Sequence, residues 1–106
     1  MFDIERYKIY TFCMKFEYDP NKSLSNKLKH GMDFEEAQAL WEDPNAIRIP
    51  ARSDVETRFA AVGLIDGRFW SAFFTYRDTT IRIISVRRSR EKEIAKYEEE
   101  LARRRA

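Results

Sequence analysis

The sequence is poor in cysteine, histidine, glycine and proline. Its 106 residues include one cysteine, Cys13, one histidine, His30, three glycines and three prolines. A single cysteine excludes an internal disulfide and a zinc site built from cysteines, and it is typical of a reducing compartment. No GxxxxGKS/T or GxGxxG motif occurs, so we do not expect a phosphate-cradling nucleotide fold. The acidic residues form no clustered metal-binding signature, and the sequence predicts no metal and no cofactor.

Long apolar runs are also absent. No stretch approaches the roughly 20 apolar residues that cross a bilayer, and Asp3 and Glu5 interrupt any signal-peptide pattern at the start. We therefore expect a cytoplasmic protein without membrane contact. The charge is mixed, because 20 Lys and Arg nearly balance 18 Asp and Glu, which leaves a net charge of +2. That net charge is by itself weak evidence for nucleic-acid binding.

The chain has the size and the apolar content of one domain spanning residues 1–106. Hydrophobic residues make up 43% of it and aromatic residues 14%, which is enough for a modest core. The pattern predicts an α+β fold in the order strand, two helices, an antiparallel meander of about four strands and a final helix. The helices are expected to cover one face of the sheet. We interpret residues 1–13 as an N-terminal extension and residues 99–106 as a solvated helical tail.

The first predicted helix has a capping signal at each end. It follows a half-buried strand that alternates from Phe12 to Tyr18. Asp19-Pro20 supplies an N-cap and a first helical residue, and Gly31 supplies a C-cap. Leu24 and Leu28 lie four residues apart and are expected to form the apolar face of this helix.

A second helix and the meander follow. Asp33 and Glu36 have the spacing of a capping box at the start of the second helix. Asp66-Gly67 predicts a tight hairpin, because both central residues of a type I′ turn need positive φ. The predicted strands are Ile47–Ile49, Arg58–Leu64, the aromatic strand Phe69–Tyr76 and a strand that starts at Ile81.

Arginines gather where these strands begin or end. The segment Ile81–Glu98 reads as a strand that runs directly into a helix, with Ser89 as a candidate N-cap. The arginines are Arg58, Arg77, Arg82, Arg87, Arg88 and Arg90. In an antiparallel meander Arg58 is expected to approach Arg77 or Arg87, although the register is open. A planar guanidinium matches a phosphate, and a helix N-terminus also attracts anions, so the pattern predicts a phosphate or RNA-backbone site.

His30 is the one imidazole in the chain, and it falls at the end of the first predicted helix. Histidine at such a position is often a structural cap. Histidine is also the side chain that best exchanges protons near neutral pH, which makes His30 a candidate for general acid-base work.

Three segments together resemble the BrnT family of bacterial toxins. They are FEYDPNKSLSNKLKHGMDFEEAQALWEDP, RFAAVGLIDGRFWSAFFTYR and IRIISVRRSREKEIAKYE. The KHG at Lys29–Gly31, followed by DFEEA, is one mark of the resemblance. The IRIISVRRSR segment with Tyr97 downstream is the other. The resemblance covers residues 14–98, and the joint spacing of the two motifs makes it specific.

The resemblance implies a RelE-like fold with an antiparallel sheet, two N-terminal helices and a C-terminal helix. It implies a metal-independent endoribonuclease toxin that inhibits translation and is neutralised by a BrnA-like antitoxin with a ribbon-helix-helix domain. Operator DNA would be contacted only through the antitoxin. It also implies active residues among Arg77, Arg87, Arg88, His30 and Arg58. The general base is open between His30 and a carboxylate such as Glu56.

Two points stay open at the level of the sequence. A small α+β domain with an arginine patch could instead be a non-catalytic module that binds RNA or a protein. The final helix, with its narrow apolar stripe, and the aromatic strand are both candidate surfaces for the antitoxin.

Overall fold

The computed structural model describes residues 15–105, which form a five-stranded sheet with three helical segments. The whole of the predicted extension 1–13 and the beginning of the predicted strand from Phe12 therefore lie outside the described residues. The elements are β1 (Lys15–Glu17), α1 (Pro20–His30), a 3-10 helix (Glu36–Glu42), β2 (Ile47–Ala51), β3 (Arg58–Ile65), β4 (Arg68–Arg77), β5 (Thr80–Arg88) and α2 (Glu91–Arg105). The α+β class and the order of elements are as the sequence predicts, except that the second helix is 3-10 and not α.

The sheet is mixed, so the prediction of an antiparallel sheet is wrong for one edge. The strand order is β1-β5-β4-β3-β2, and β1 runs parallel to β5 while the other neighbours are antiparallel. The long connection from β1 through α1 and the 3-10 helix to the meander permits this arrangement, because a parallel pair needs a crossover and not a hairpin. β4 lies at the centre, which confirms that the aromatic strand has neighbours on both sides.

The helices pack on both faces of the sheet, and the expectation that they cover one face is wrong. On the first face Leu40 and Trp41 of the 3-10 helix, together with Phe34 just before it, cluster with Trp70 and Phe74 of β4. On the second face Tyr97 and Leu101 of α2 pack against alternate residues of β2, β3 and β4. Alternation along each strand gives both faces apolar side chains, so each helical layer buries one set.

α1 has the predicted ends but not the predicted buried face. The Asp19 carboxylate accepts the backbone N–H of Asn21 at 2.8 Å, and Gly31 closes the helix with φ 84°. Leu24 and Leu28, predicted to be the apolar face, are instead 62% and 82% exposed. The buried residues are Ser23 and Asn26, because this helix lies against a strand edge with polar backbone groups and not against an apolar sheet face.

Two of the three other local signals are confirmed, and the third, the Ser89 N-cap, is not. Asp33 and Glu36 form the reciprocal capping box, with backbone-to-carboxylate distances of 3.0 and 2.7 Å. Asp66 and Gly67 both have positive φ in the β3–β4 turn. The Ser89 hydroxyl, however, bonds to Ser71 at 2.7 Å and not to the helix start. The N–H of Arg90 is bonded instead by the carboxylate of Glu93.

The two edges of the sheet are short or interrupted. β2 forms one edge and contains Pro50. β1 pairs with only three residues of β5, from Thr80 to Arg82. Beyond them the side chain of Asn26 pairs with the backbone of Val86, accepting its N–H at 3.1 Å and donating to its carbonyl at 2.8 Å. A side-chain amide thus continues the hydrogen-bonding pattern that the short strand leaves open.

α2 runs to Arg105. Beyond residue 99, Ala102, Arg103 and Arg105 are exposed, Leu101 and Arg104 are half-buried, and Glu100 is buried at 4% exposure. Its apolar stripe and the aromatic strand, the two antitoxin surfaces suggested by the sequence, are largely occupied within the domain. Tyr97 is buried on the second face, and Trp70 and Phe74 are buried on the first. No helix within residues 15–105 has both the length and the apolar character that crossing a membrane requires.

Candidate functional site

A shallow groove runs between α1 and the edge of β5, and we call it the α1–β5 groove. Its volume is about 220 Å³. One long side of α1 forms its wall, because residues three and four apart share a helix face. The residues that line it are Lys22, Ser25, Asn26, Lys29, His30, Phe34, Ile84 and Ser85.

A β-bulge shapes the strand side of the groove. The register of β4 and β5 shifts between Phe73 and Phe74, because Phe73 pairs with Ser85 and Phe74 with Ile83. Ile84 is therefore the extra residue of β5, and a bulge re-aims side chains at a strand edge. As a result Ile84 and Ser85, although consecutive, both line the groove.

Asn26 fixes the distance between the two walls. Its side chain bonds to Val86 of β5 through both the amide and the carbonyl oxygen, and the amide also donates to the Met32 carbonyl at 2.8 Å. Asn26 is 8% exposed, so these bonds are protected from water. The groove is consequently a fixed recess and not a gap that depends on a flexible contact.

The described lining of the groove is basic. Lys22 and Lys29 contribute two ammonium groups, and the lining contains no carboxylate. Neither lysine forms an ion pair with another residue of the range 15–105. His30 is exposed at the same side of α1. Unneutralised cations beside a histidine and two hydroxyl groups are suited to an anionic substrate such as a phosphodiester.

Arg87 lies next to the groove on the same face of β5 as Ser85, since side chains two apart on a strand point the same way. Its side chain is held by contacts within the domain. Its guanidinium donates two hydrogen bonds to Glu93 of α2, at 2.9 and 2.7 Å, and stacks 4.8 Å from the centre of the Phe73 ring. This bidentate pair attaches the start of α2 to the end of β5.

The carboxylate of Glu93 accepts hydrogen bonds from other groups besides Arg87. Burial alone would raise its pKa, but the bonds from Arg87, from the backbone N–H of Arg90 and from the Ser71 hydroxyl together lower the pKa below its ordinary value of 4.5. Glu93 thus stays ionised at neutral pH and keeps Arg87 in place.

Arg88 points to the opposite face of the sheet. Its guanidinium lies 5.5 Å from the centre of the Trp70 ring, and its Nε donates to the Phe69 carbonyl at 3.2 Å. Adjacent strand residues alternate between faces, so Arg87 and Arg88 cannot act on one phosphate from the same side.

Arg58 and Arg77 lie at the far end of the sheet. Arg77 ends β4 and pairs with Thr80, seven residues before Arg87, which separates the two arginines by roughly 20 Å. Phe59 pairs with Phe74, which brings Arg58 near Arg77 and away from Arg87. Arg77 is exposed, and Nε of Arg58 is buried without a hydrogen-bond partner in the described chain. Glu56 is half-buried in the loop that leads into β3.

The predicted site residues therefore fall into three places. His30 lines the α1–β5 groove with Arg87 beside it, Arg88 lies on the opposite face, and Arg58 and Arg77 lie together at the other end. Lys22, Lys29 and Ser85 also line the groove but were not among the predicted site residues. The signal for the lysines was present in the sequence, because positions 22, 29 and 30 lie seven and eight apart and so fall on one side of a helix.

Among residues 15–105 no three side chains of the types His, Cys, Asp and Glu lie close enough together to hold a metal ion.

Comparison with known proteins identifies the family of the chain. No curated protein matches the chain. The family model described as "Ribonuclease toxin, BrnT, of type II toxin-antitoxin system" matches residues 18–93, which include α1, the whole sheet from β2 to β5 and the first residues of α2. The match covers most of the chain and contains both walls of the α1–β5 groove. The chain therefore belongs to the BrnT family of ribonuclease toxins of type II toxin-antitoxin systems.

Proposed function

We propose that the chain is a metal-independent endoribonuclease whose reaction takes place in the α1–β5 groove. The observation that carries this proposal is the basic lining of the groove around His30. Lys22 and Lys29 approach it from one side of α1, and Ser85 approaches it from the strand. Among the predicted site residues, His30 is the one that combines a proton-exchanging side chain with unpaired cations nearby.

The proposed reaction is an internal transphosphorylation. His30 removes the proton of a ribose 2′-OH, and the 2′ oxygen attacks the adjacent phosphorus. The bond from phosphorus to the 5′ oxygen of the next nucleotide breaks. The products are a 2′,3′-cyclic phosphate and a 5′-OH, whose proton comes from the protonated His30 or from water. No metal is needed if cations offset the charge of the crowded phosphorane.

Lys22 and Lys29 are the cations in that position. Fixed charges aimed at developing negative charge are often the largest single contribution to catalysis. Arg87 adds positive charge beside the groove, although Glu93 balances part of it. Arg88 is assigned to the surface of the opposite face. Arg58 and Arg77, further along the sheet, would contact phosphates of the RNA that lie outside the cleaved bond.

Cleavage of a defined RNA in the presence of EDTA tests the proposal. We expect the wild type to cut, His30→Ala to lose cutting by at least about 100-fold, and Arg77→Ala to be impaired mainly in binding RNA. Arg105→Ala, an exposed arginine at the end of α2, is the matched control and should cut like the wild type.

The outcomes separate the alternatives. Loss of cutting in Arg77→Ala with full activity in His30→Ala would move the site to the Arg58–Arg77 end, with Glu56 as the base. Equal activity in all variants would place the site elsewhere. If the wild type leaves the RNA intact with and without ribosomes, the chain is a binding module and the proposal is wrong.

The finer identity of the system is also a proposal. The family resemblance supports a RelE-like arrangement, a cytoplasmic location, inhibition of translation through RNA cleavage and a BrnA-like antitoxin with a ribbon-helix-helix domain. In such a complex the antitoxin, and not this chain, contacts the operator DNA. Co-purification of the chain with the product of the adjoining reading frame would test the antitoxin assignment.

A further inference from the structure

Two leucines on α1 are exposed where a solvated helix would normally carry polar residues. Leu24 is 62% exposed and Leu28 is 82% exposed, and they lie one helical turn apart. The buried residues of α1, Ser23 and Asn26, lie on the other side of the helix. We call Leu24 and Leu28 the leucine ridge. Single exposed leucines are ordinary, but two adjacent ones on one helix form a continuous apolar surface.

The surroundings of the leucine ridge are positively charged. The segment PNKSLSNKLKH, which is all of α1, contains three lysines and a histidine but no acidic residue. Lys22 and Lys29 lie on the flank that forms the α1–β5 groove. On the other flank, Lys27 pairs with Glu36 at 2.8 Å, so the unbalanced charge is concentrated on the groove side.

A second recess lies beside the ridge. Leu24, Lys27 and Tyr18 are among the residues that line a shallow pocket of about 250 Å³. The ridge therefore separates two depressions. One contains Lys22 and Lys29 without a carboxylate, and the other combines the apolar surfaces of Tyr18, Pro20 and Leu24 with Lys27 and Asp33. A helix or an extended segment that places an apolar side chain in this pocket and carboxylates over Lys22 and Lys29 would match the surface in shape and charge.

We propose that the leucine ridge is the docking surface for an acidic amphipathic segment of the antitoxin. This inference rests on the toxin function, because a type II toxin is held inactive by a protein partner. Burial of the ridge would bring acidic side chains over Lys22 and Lys29 and close the mouth of the α1–β5 groove. Neutralisation then follows from geometry, since the same helix carries the docking surface on one side and the proposed catalytic groove on the other.

The test compares Leu24→Ser/Leu28→Ser with wild type, using the purified cognate antitoxin as probe. Val55→Ser is the matched control, because Val55 is an equally exposed apolar residue, at 83%, in a distant loop. We expect the double variant to bind the antitoxin at least about 100-fold more weakly, from the loss of two buried leucines. The control should bind like the wild type, and binding by the wild type should weaken as sodium chloride is raised.

RNA cleavage is measured on the same samples. The double variant should cut RNA at the wild-type rate when alone and should escape inhibition when antitoxin is added. Unchanged antitoxin affinity would overturn the proposal, as would binding that does not respond to salt. Loss of RNA binding with intact antitoxin binding would assign the ridge to the substrate and also overturn it. If wild type does not cut RNA but its antitoxin binding depends on the leucines, the nuclease proposal fails and the docking surface stands.

Discussion

Replacing Asn26 with alanine should destabilise the domain more than any other change on α1. The substitution removes three hydrogen bonds, one accepted from the N–H of Val86 and two donated to the carbonyls of Val86 and Met32. All three are buried. Alanine would leave the backbone groups without partners and open a small cavity.

The magnitude follows from the number of groups left unpaired. A buried polar group without its partner costs about 1 to 3 kcal/mol, so three of them, with some relaxation towards water at the sheet edge, give about 3 to 5 kcal/mol. A domain of this size has a total unfolding free energy of about 5 to 15 kcal/mol. The variant should therefore melt about 15 to 30 °C below the wild type.

Urea unfolding followed by circular dichroism is the appropriate assay, with Ser25→Ala as the control. Ser25 is the neighbour of Asn26 on α1 but is exposed, and its replacement should change the free energy of unfolding by less than about 0.5 kcal/mol. A cost below about 1 kcal/mol for Asn26→Ala would refute the reasoning, because it would mean that water satisfies the edge of β5 and that α1 is held by other contacts.

Two further predictions concern the remaining polar and close contacts. The pKa of Glu93 is lowered in the folded state, so its stabilising effect should be complete above pH 4.5 and should be lost as the pH falls through the folded-state pKa. Urea unfolding at several acidic pH values measures this effect. The free energy of unfolding should fall more steeply with decreasing pH for the wild type than for Glu93→Gln. Gly63→Ala should lower the free energy of unfolding by about 1 to 3 kcal/mol, because the added Cβ would lie 3.0 Å from Oδ2 of Asp43 and 3.3 Å from Leu40. Thermal melting checks this prediction. A melting temperature equal to that of the wild type would contradict it and would mean that the backbone shifts to make room.

The local features of the fold could be predicted because their causes lie within a few residues. Asp19 caps α1 from the adjacent position, Gly31 ends it, and the Asp66-Gly67 turn needs only its own backbone conformation. Such short-range chemistry is readable in a single sequence. The element order follows from the same signals, and the α+β class follows from the order.

The parts that could not be predicted depend on distant residues. Leu24 and Leu28 have the spacing of a buried face, yet the edge of β5, 60 residues away, selects Asn26 as the residue to bury. The position of α2 on the second face was equally hidden, because both faces of β3 and β4 are apolar. For the candidate site, the sequence alone does not give the grouping of the predicted residues in space. The register of β4 and β5, with its bulge, separates Arg77 from Arg87.

The short or interrupted edges of the sheet affect how copies of the protein, or a partner strand, can pair with it. Pro50 in β2 has no N–H to offer to a further strand, and on the other side Asn26 already occupies the backbone of Val86 beyond the short β1. Edge-to-edge polymerisation of the protein is thereby disfavoured. An inhibitor that worked by adding a strand beside β5 would first have to displace α1, so recognition through the outer surface of that helix needs less rearrangement.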